Sequence, residues 1–402
     1  MLPLNKAKWK KKSLDNLADL YQPETISQEK FSQAGYPVFG ANGVIGFYKE
    51  YNHELPQVLI TCRGNTCGTI NISLPKSWIT GNAMVANVDT TKAINKQLLY
   101  YLLNSFDFSK IITGTGQPQI VRKSLHDVTL FYPADEHEQS KIANILSTCD
   151  EVIEKTEETI EKYKQIKEGM MQDLFTRGLD KNGKLRPSYT QAPDLYKYSN
   201  VLDRYIPKEW KVDKLSSENV ATINPPSRNL PDEFMYIDLE SVVNGNLEQT
   251  KIIALREAPS RAQRLVNLFD ILYQTVRPYQ KNNYLYTQKN NMASVASTGY
   301  AQIRTSLNPF FLYYYLNTDL FVNKVLCLCT GTSYPAINPT NLGKLCVPIP
   351  IVQEQKLIAN LFKTIDSKIN KESEILTKYK QIKQGLMKQL LTPPANAEII
   401  EE

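Results

Sequence analysis

Tyr163-Lys164-Gln165-Ile166-Lys167 returns 216 residues later as Tyr379-Lys380-Gln381-Ile382-Lys383. Around the first copy, Leu146, Cys149, Ile153, Thr156, Ile160, Tyr163, Lys167, Met170 and Leu174 fall at alternating steps of three and four. That spacing is the seam of a coiled coil. The same seam recurs as Phe362, Ile365, Ile369, Glu372, Leu376, Tyr379, Lys383, Leu386 and Leu390. A helix of about 38 residues extends roughly 57 Å at ~1.5 Å per residue. Two such rods do not fit as core helices of one compact domain, so they read as a spacer between other blocks.

Each rod has legible ends. Pro133 precedes the first, and Asp135 with Glu138 reads as an N-cap with an acidic return. Gly178 follows as a stop. Gly169 and Gly385 sit inside the helical pattern at matched positions, where glycine costs ~1 kcal/mol against alanine. A close approach of another backbone and a tolerance inherited from the duplication both explain them. The seam residues expected to pack helix on helix are Leu146, Ile153, Ile160, Tyr163, Gly169, Phe362, Ile369, Leu376, Tyr379 and Gly385.

Two blocks of mixed character precede the rods. The first opens on Trp9-Lys10 and carries short apolar runs, Tyr36–Phe39, Gly43–Tyr48, Gln57–Ile60 and Thr69–Ile72, bounded by turn residues. Lys96–Asn104 reads as a helix. The second opens on Trp210-Lys211, with strand-like runs at Met235–Ile237, Ile252–Ala254 and Ile271–Val276 and a helix at Phe310–Asn317. Thr113–Ile120 parallels Thr330–Ile337, and Pro133 parallels Pro350. The boundaries that follow are a first mixed block over 1–133, a helical spacer over 134–177, a linker over 178–205, a second mixed block over 206–350, a second spacer over 351–392 and a disordered tail over 393–402.

Between these landmarks the loops differ, and their composition suits base and phosphate contact. Arginine pairs bidentately with guanine and asparagine with adenine. In the first block the candidates are Asn42 and Lys49, in and beyond the Gly40-Ala41-Asn42-Gly43 turn, then Arg63, Asn65, Thr66 and Gln117. In the second they are Arg277, Tyr279, Lys281, Asn282 and Tyr334. Asn and Gly are also ordinary turn residues, and a lone loop arginine is commonly just solvated. Thr113–Gln119 is glycine-containing but lacks the lysine of a phosphate loop.

The net charge of +6 permits a polyanionic partner without requiring one. The basic start, Lys6, Lys8, Lys10, Lys11 and Lys12, reads either as a phosphate-facing arm or as a solvated end. No run of 18 apolar residues exists, so no membrane span is expected. The six cysteines lack zinc-ribbon spacing, which reads as a reduced, cytoplasmic chain. The three histidines, His53, His126 and His137, do not cluster in sequence as metal ligands. Asn224-Pro225-Pro226-Ser227 is similar to the Asn-Pro-Pro-aromatic box of amino-group methyltransferases but lacks the aromatic, and no Gly-rich cofactor turn precedes it. The expected chain reads without a reaction of its own. A coiled-coil adaptor without DNA contact and a self-sufficient adenine methyltransferase are the rival readings.

The order block, rod, block, rod resembles the specificity subunit of type I restriction–modification systems. Glu138-Gln139 with Ile142-Ala143-Asn144 matches Glu354-Gln355 with Ile358-Ala359-Asn360, beside the repeated Tyr-Lys-Gln-Ile-Lys. The resemblance implies two mixed α/β target recognition domains separated by two long antiparallel coiled-coil helices, with an internal pseudo-two-fold repeat. Each domain would read one half of a bipartite site in double-stranded DNA. The helices would set the spacing and dock two modification subunits, with restriction subunits added in the full complex. No cofactor is expected in this chain; S-adenosylmethionine, ATP and Mg are expected on the partners. Antiparallel rods also imply that the end of the chain returns near its start.

Overall fold

The computed structural model describes residues 8–401 apart from 41, 115, 228, 289–291 and 332. Lys6, Ala41, Thr115 and Thr332, named above, lie outside the described residues. The chain divides into two units, residues 1–159 with 372–402 and residues 160–371. Both rods form as helices of 39 residues, Glu136–Leu174 and Val352–Leu390. Each is shared between the units, so each unit holds part of either rod.

In the first unit the strand Lys8–Ser13 lies antiparallel to Thr129–Pro133. A four-stranded sheet runs in the order Asp19–Tyr21, Ala83–Asn87, Val58–Thr61, Ile70–Ile72. The helix Lys96–Ser105 starts on Asn95, whose side chain accepts from the Leu98 amide. This helix buries Leu98, Leu99, Tyr101, Leu102 and Leu103 against Ile142, Ala143 and Leu146 of the first rod, with Leu390 and Leu391 packed into the same core.

The second unit repeats this plan. Lys211–Lys214 pairs antiparallel with Cys346–Ile349. The sheet order Ala221–Asn224, Tyr300–Thr305, Ile271–Gln274, Tyr284–Leu285 matches the first. Helix Pro309–Leu316 is capped by Asn308, which accepts from the Phe311 amide. Its core joins Phe311, Leu312 and Tyr315 to Ile358, Ala359 and Phe362 of the second rod and to Leu174 and Phe175. Ile358, Ala359 and Phe362 stand 216 positions from Ile142, Ala143 and Leu146, and Leu174 and Phe175 stand 216 from Leu390 and Leu391. A second four-stranded sheet, Lys251–Ala254, Glu233–Ile237, Ser294–Ser297, Ala262–Val266, belongs to this unit, where the first unit carries a three-stranded one.

Within each unit the rod halves run in opposite directions. Lys383 binds Asp150 and Lys380 binds Glu157 at 2.7 Å in the first unit. Lys167 binds Asp366 at 2.7 Å, and Lys368 lies 5.6 Å from the Tyr163 ring, in the second. Seam burial is graded. Leu146 and Phe362 are fully buried, because a recognition-block helix adds a third layer over them. Ile160 is buried, Ile153, Tyr163, Ile369 and Leu376 are half-buried, and Tyr379 is exposed, where the rods have fewer neighbours.

Of the two explanations for Gly169 and Gly385, close approach finds no support among the described residues, since a Cβ on either would meet nothing within 4 Å. Two expectations are corrected. The segment read as a linker is ordered, with an antiparallel hairpin, Tyr196–Ser199 and Arg204–Pro207, and a core of Leu202, Ile206 and Trp210. Its polar sequence hid apolar residues spaced across a turn. The tail read as disordered places Glu398–Glu401 parallel to Lys8–Ser13, with Lys11 bound to Glu401 at 2.6 Å. The open edge of a lysine-rich strand accepts an acidic one, and the chain end thus returns to its start.

Phe362→Ala removes a ring stacked 5.5 Å from Phe175 and 4.6 Å from Tyr314. It is expected to cost about 3–5 kcal/mol, read as a lowered urea midpoint. Ile166→Ala, on an exposed position of the first rod, is expected to stay within about 0.5 kcal/mol.

Candidate nucleic-acid interface

The candidate loops hang on a backbone frame built twice. In the first unit the Ile120 amide donates to the Cys62 carbonyl at 3.0 Å and the Gly64 amide to Pro118 at 3.0 Å. Thr113 and Gln119 exchange both backbone bonds, at 2.9 and 2.8 Å. In the second unit Ile337 donates to Thr275 at 3.0 Å, Arg277 to Pro335 at 2.7 Å, and Thr330 and Ala336 exchange bonds at 2.9 and 3.0 Å. Gly114 and Gly331 turn these loops with φ of 91° and 88°. At Gly114 a Cβ would meet the Gln117 carbonyl oxygen at 2.5 Å, so the turn requires glycine.

This frame sets the register between the blocks. Arg277 stands where the first block has Gly64, and Tyr334 where it has Gln117. Arg63 matches Val276 and not Arg277: Arg63 is in an isolated bridge to Gln119 and Val276 in one to Ala336. Both loops carry an arginine near the same landmark, and only hydrogen-bond partners distinguish neighbouring positions. Gly64 has φ 83°, and Arg277 keeps a left-handed backbone with φ 53°. A side chain there costs roughly 1 kcal/mol, an outlay in backbone strain that places the guanidinium. Its carbon lies 4.3 Å from the Tyr334 ring centre, and Tyr334 is 62% exposed. A charged plane stacked on an aromatic, open to solvent, suits both phosphate and base-edge contact.

The remaining second-block candidates divide by what already holds them. Tyr279 projects from the turn Pro278–Gln280 and is exposed. Lys281, also left-handed at φ 53°, is bound to Asp319 at 2.7 Å. The Asn282 side-chain oxygen accepts from the Asn244 amide at 3.1 Å, which gives it a structural role in the loop. Buried Asn283, not singled out by sequence, anchors the same loop: its side chain accepts from the Gln274 amide at 2.7 Å and donates to Asn317 at 3.0 Å. Two consecutive asparagines give no sign of which is the anchor. Gln274 completes the arrangement with a bond to Gln280 at 2.9 Å.

In the first block Arg63, Asn65, Thr66 and Gln117 are all exposed on the duplicated frame. Asn42 accepts from Asn71 at 3.1 Å, beside the strand Ile70–Ile72. Lys49 follows the other end of strand Gly43–Tyr48 from Asn42, about 20 Å along it at ~3.4 Å per residue, and lies 3.4 Å from Glu50. Burial pushes the Cys62 thiol up to about 11, so this residue beside Arg63 stays a neutral thiol at neutral pH.

Asn224-Pro225-Pro226-Ser227 is tied into a sheet. The Asn224 carbonyl accepts from Arg264 at 2.6 Å, and the Ser227 hydroxyl oxygen accepts from the Leu265 amide at 3.1 Å. Among the described residues, no group of three or more His, Cys, Asp and Glu side chains is placed to hold a metal ion. No described helix is long and apolar enough to cross a membrane.

Two mixed α/β blocks on one repeated frame, each attached to half of two repeated rods, define a duplicated scaffold that presents two unlike loop sets. The chain belongs to the family described as the type I restriction modification DNA specificity domain, which matches residues 6–165 and 276–381. It is 26% identical over 365 residues to the type I restriction enzyme MjaVIII specificity subunit of Methanocaldococcus jannaschii, covering 86% of this chain and 81% of that one. It is 26% identical over 317 residues to the putative MjaX specificity subunit of the same organism, covering 74% and 68%. The crystal structure of a type I restriction-modification S subunit from M. genitalium superposes with a TM-score of 0.65 at 19% identity, over 98% of both chains. At that identity the likeness is one of fold.

The strain at Arg277 makes two variants diverge. Arg277→Gly relieves about 1 kcal/mol of backbone strain and gives up about 0.5–1 kcal/mol of exposed stacking, so stability should hold within about 0.5 kcal/mol. Arg277→Ala keeps the strain and loses the stack, and should fall below Arg277→Gly by about 1 kcal/mol. Chemical denaturation of both variants checks the order.

Proposed function

We propose that this chain is the DNA sequence-specificity subunit of a type I restriction–modification complex. Its two recognition blocks, 1–133 and 206–350, each read one half of a bipartite duplex target. The observation that carries this is the repeated frame with different side chains on it: Arg63, Gly64 and Gln117 in one block, Val276, Arg277 and Tyr334 in the other. A split, asymmetric target requires one way of presenting loops and two sets of contacts. In this reading the rods form an antiparallel coiled coil with pseudo-two-fold symmetry and set the half-site separation, about one DNA turn or roughly 34 Å. Opposed ion pairs at matched residues support it.

The chain itself carries no reaction in this reading. S-adenosylmethionine sits on the modification subunits, and ATP with Mg on the restriction subunits. Two modification subunits dock at two equivalent places. Ile166 and Ile382, the same position of the repeated pentad, are 43% and 53% exposed, which supports paired docking of identical partners.

Methylome sequencing of a host carrying this chain with its modification subunit tests the proposal. A split recognition site is expected, and methylation at one continuous short site overturns it. Duplex affinity should fall steeply as salt rises, because phosphate contacts release counterions. Arg277→Ala should relax or weaken one half-site by about 1–3 kcal/mol, and Arg63→Ala the other; equal loss at both halves from either variant would mean an effect on folding.

Ile166→Asp and Ile382→Asp should each remove one modification subunit from the complex, and the double variant both. Native mass spectrometry counts them, and full occupancy in the double variant would exclude these positions as docking contacts.

A further inference from the structure

The duplicated frame also repeats a pair of residues that only one unit completes. In the second unit Glu354 is buried and receives three donors. Arg186 reaches both of its oxygens, at 2.6 and 3.3 Å, the Leu179 amide donates at 2.7 Å, and the Trp210 indole donates at 3.1 Å. The chain gets there by turning at Gly178, φ 63°, where a Cβ would meet Glu354, Trp210 and Arg186 at 2.3, 2.5 and 2.6 Å. A charged carboxylate this deep needs its guanidinium partner.

The first unit has the same frame, and among the described residues no arginine pairs with its glutamate. Gln139 holds the Pro133 carbonyl and accepts from the Asn95 amide, as Gln355 holds Pro350 and accepts from Asn308. Glu138 precedes Gln139 as Glu354 precedes Gln355. Trp9 pairs with Pro133 across the strands, and Trp210 directly precedes Lys211, which pairs with Ile349, the neighbour of Pro350. Trp9 is 3% exposed, and its enclosed indole nitrogen has no hydrogen-bond partner among the described residues. Glu138 is half-exposed. Burial and the nearby Asp135 both raise its carboxyl, against a smaller effect of Lys141. Where the second unit continues Phe175-Thr176-Arg177-Gly178, the first has Leu391-Thr392-Pro393-Pro394, and proline cannot adopt the left-handed turn that Gly178 makes.

We propose that Trp9 and Glu138 form an incomplete receptor, entered from the Glu138 side, for an arginine side chain carried by a protein partner. The incoming guanidinium takes the place that Arg186 holds in the second unit. It draws the Glu138 carboxylate onto the Trp9 indole N–H, which then gains its acceptor. Lysine fits less well, since the bidentate contact seen at Glu354 requires a planar fork.

The chain supplies its own probe, a synthetic peptide of residues 177–191, which includes Arg186. Full-length protein labelled with 5-fluorotryptophan gives one fluorine resonance for each of Trp9, Trp78 and Trp210. Trp9→Phe identifies the first. The peptide is expected to shift the Trp9 resonance saturably and leave Trp78 unmoved. An Arg186→Ala peptide, or a Glu138→Gln protein, should bind about tenfold more weakly or worse. An unchanged Trp210 resonance in Glu138→Gln shows that the second unit remains folded. A Trp9 resonance that ignores the peptide, or that moves equally with the Arg186→Ala peptide or in Glu138→Gln, overturns the receptor. The same resonance then identifies the carrier. A shift that grows with this protein's own concentration assigns the arginine to a second copy, and one that appears on adding the modification subunit assigns it there. If neither moves it, the protein partner is overturned.

Discussion

A carboxylate shared between a tyrosine and a lysine fixes where each rod lies against its neighbours. In the first unit Tyr101 donates to Asp150 at 2.7 Å while Lys383 binds the other oxygen. In the second, Tyr314 donates to Asp366 at 2.7 Å and Lys167 binds it at 2.7 Å. Each lysine also lies 5.6 Å from the ring of its tyrosine. Burial, and then the adjacent carboxylate, push both tyrosines upward, so each stays a donor. Three elements meet at one acidic side chain: the recognition-block helix, one rod and the other rod. Such partly exposed pairs contribute ~1 kcal/mol at most. Their effect is on register, since a slip of one helical turn, ~5.4 Å, would separate all three groups.

The energy comes from the apolar layer beside each node. Leu146 and Phe362 are buried in cores that a third helix joins, whereas Tyr379 belongs to neither of these cores and stands exposed. Heptad spacing marks all of these as equivalent. How deeply each is buried depends on which other element arrives at that level of the rod. The same reasoning explains Gly169 and Gly385, which lie in register yet face open space.

The recognition loops show how one frame carries two surfaces. Their backbone amides and carbonyls are largely satisfied by the frame, through bonds such as Gly64 to Pro118 and Arg277 to Pro335. The outward side chains are therefore under little structural demand, and can differ between blocks without altering the support. Arg277 is the exception that reveals a cost. It accepts a left-handed backbone where the other block uses glycine, and the stack on Tyr334 offsets part of it.

Sequence alone determined the repeat, the length of the helical pattern, the mixed character of both blocks and the family resemblance, because these rest on periodicity and on identities 216 residues apart. Local pattern encodes them directly. It could not align Arg63 with Val276, since that register exists only in hydrogen bonds. It did not reveal that Arg186, within a polar stretch, reaches Glu354 across 168 residues, or that an acidic tail would pair with a lysine strand 390 residues away. Those contacts depend on where the folded chain brings distant segments together, and only the tertiary structure decides that.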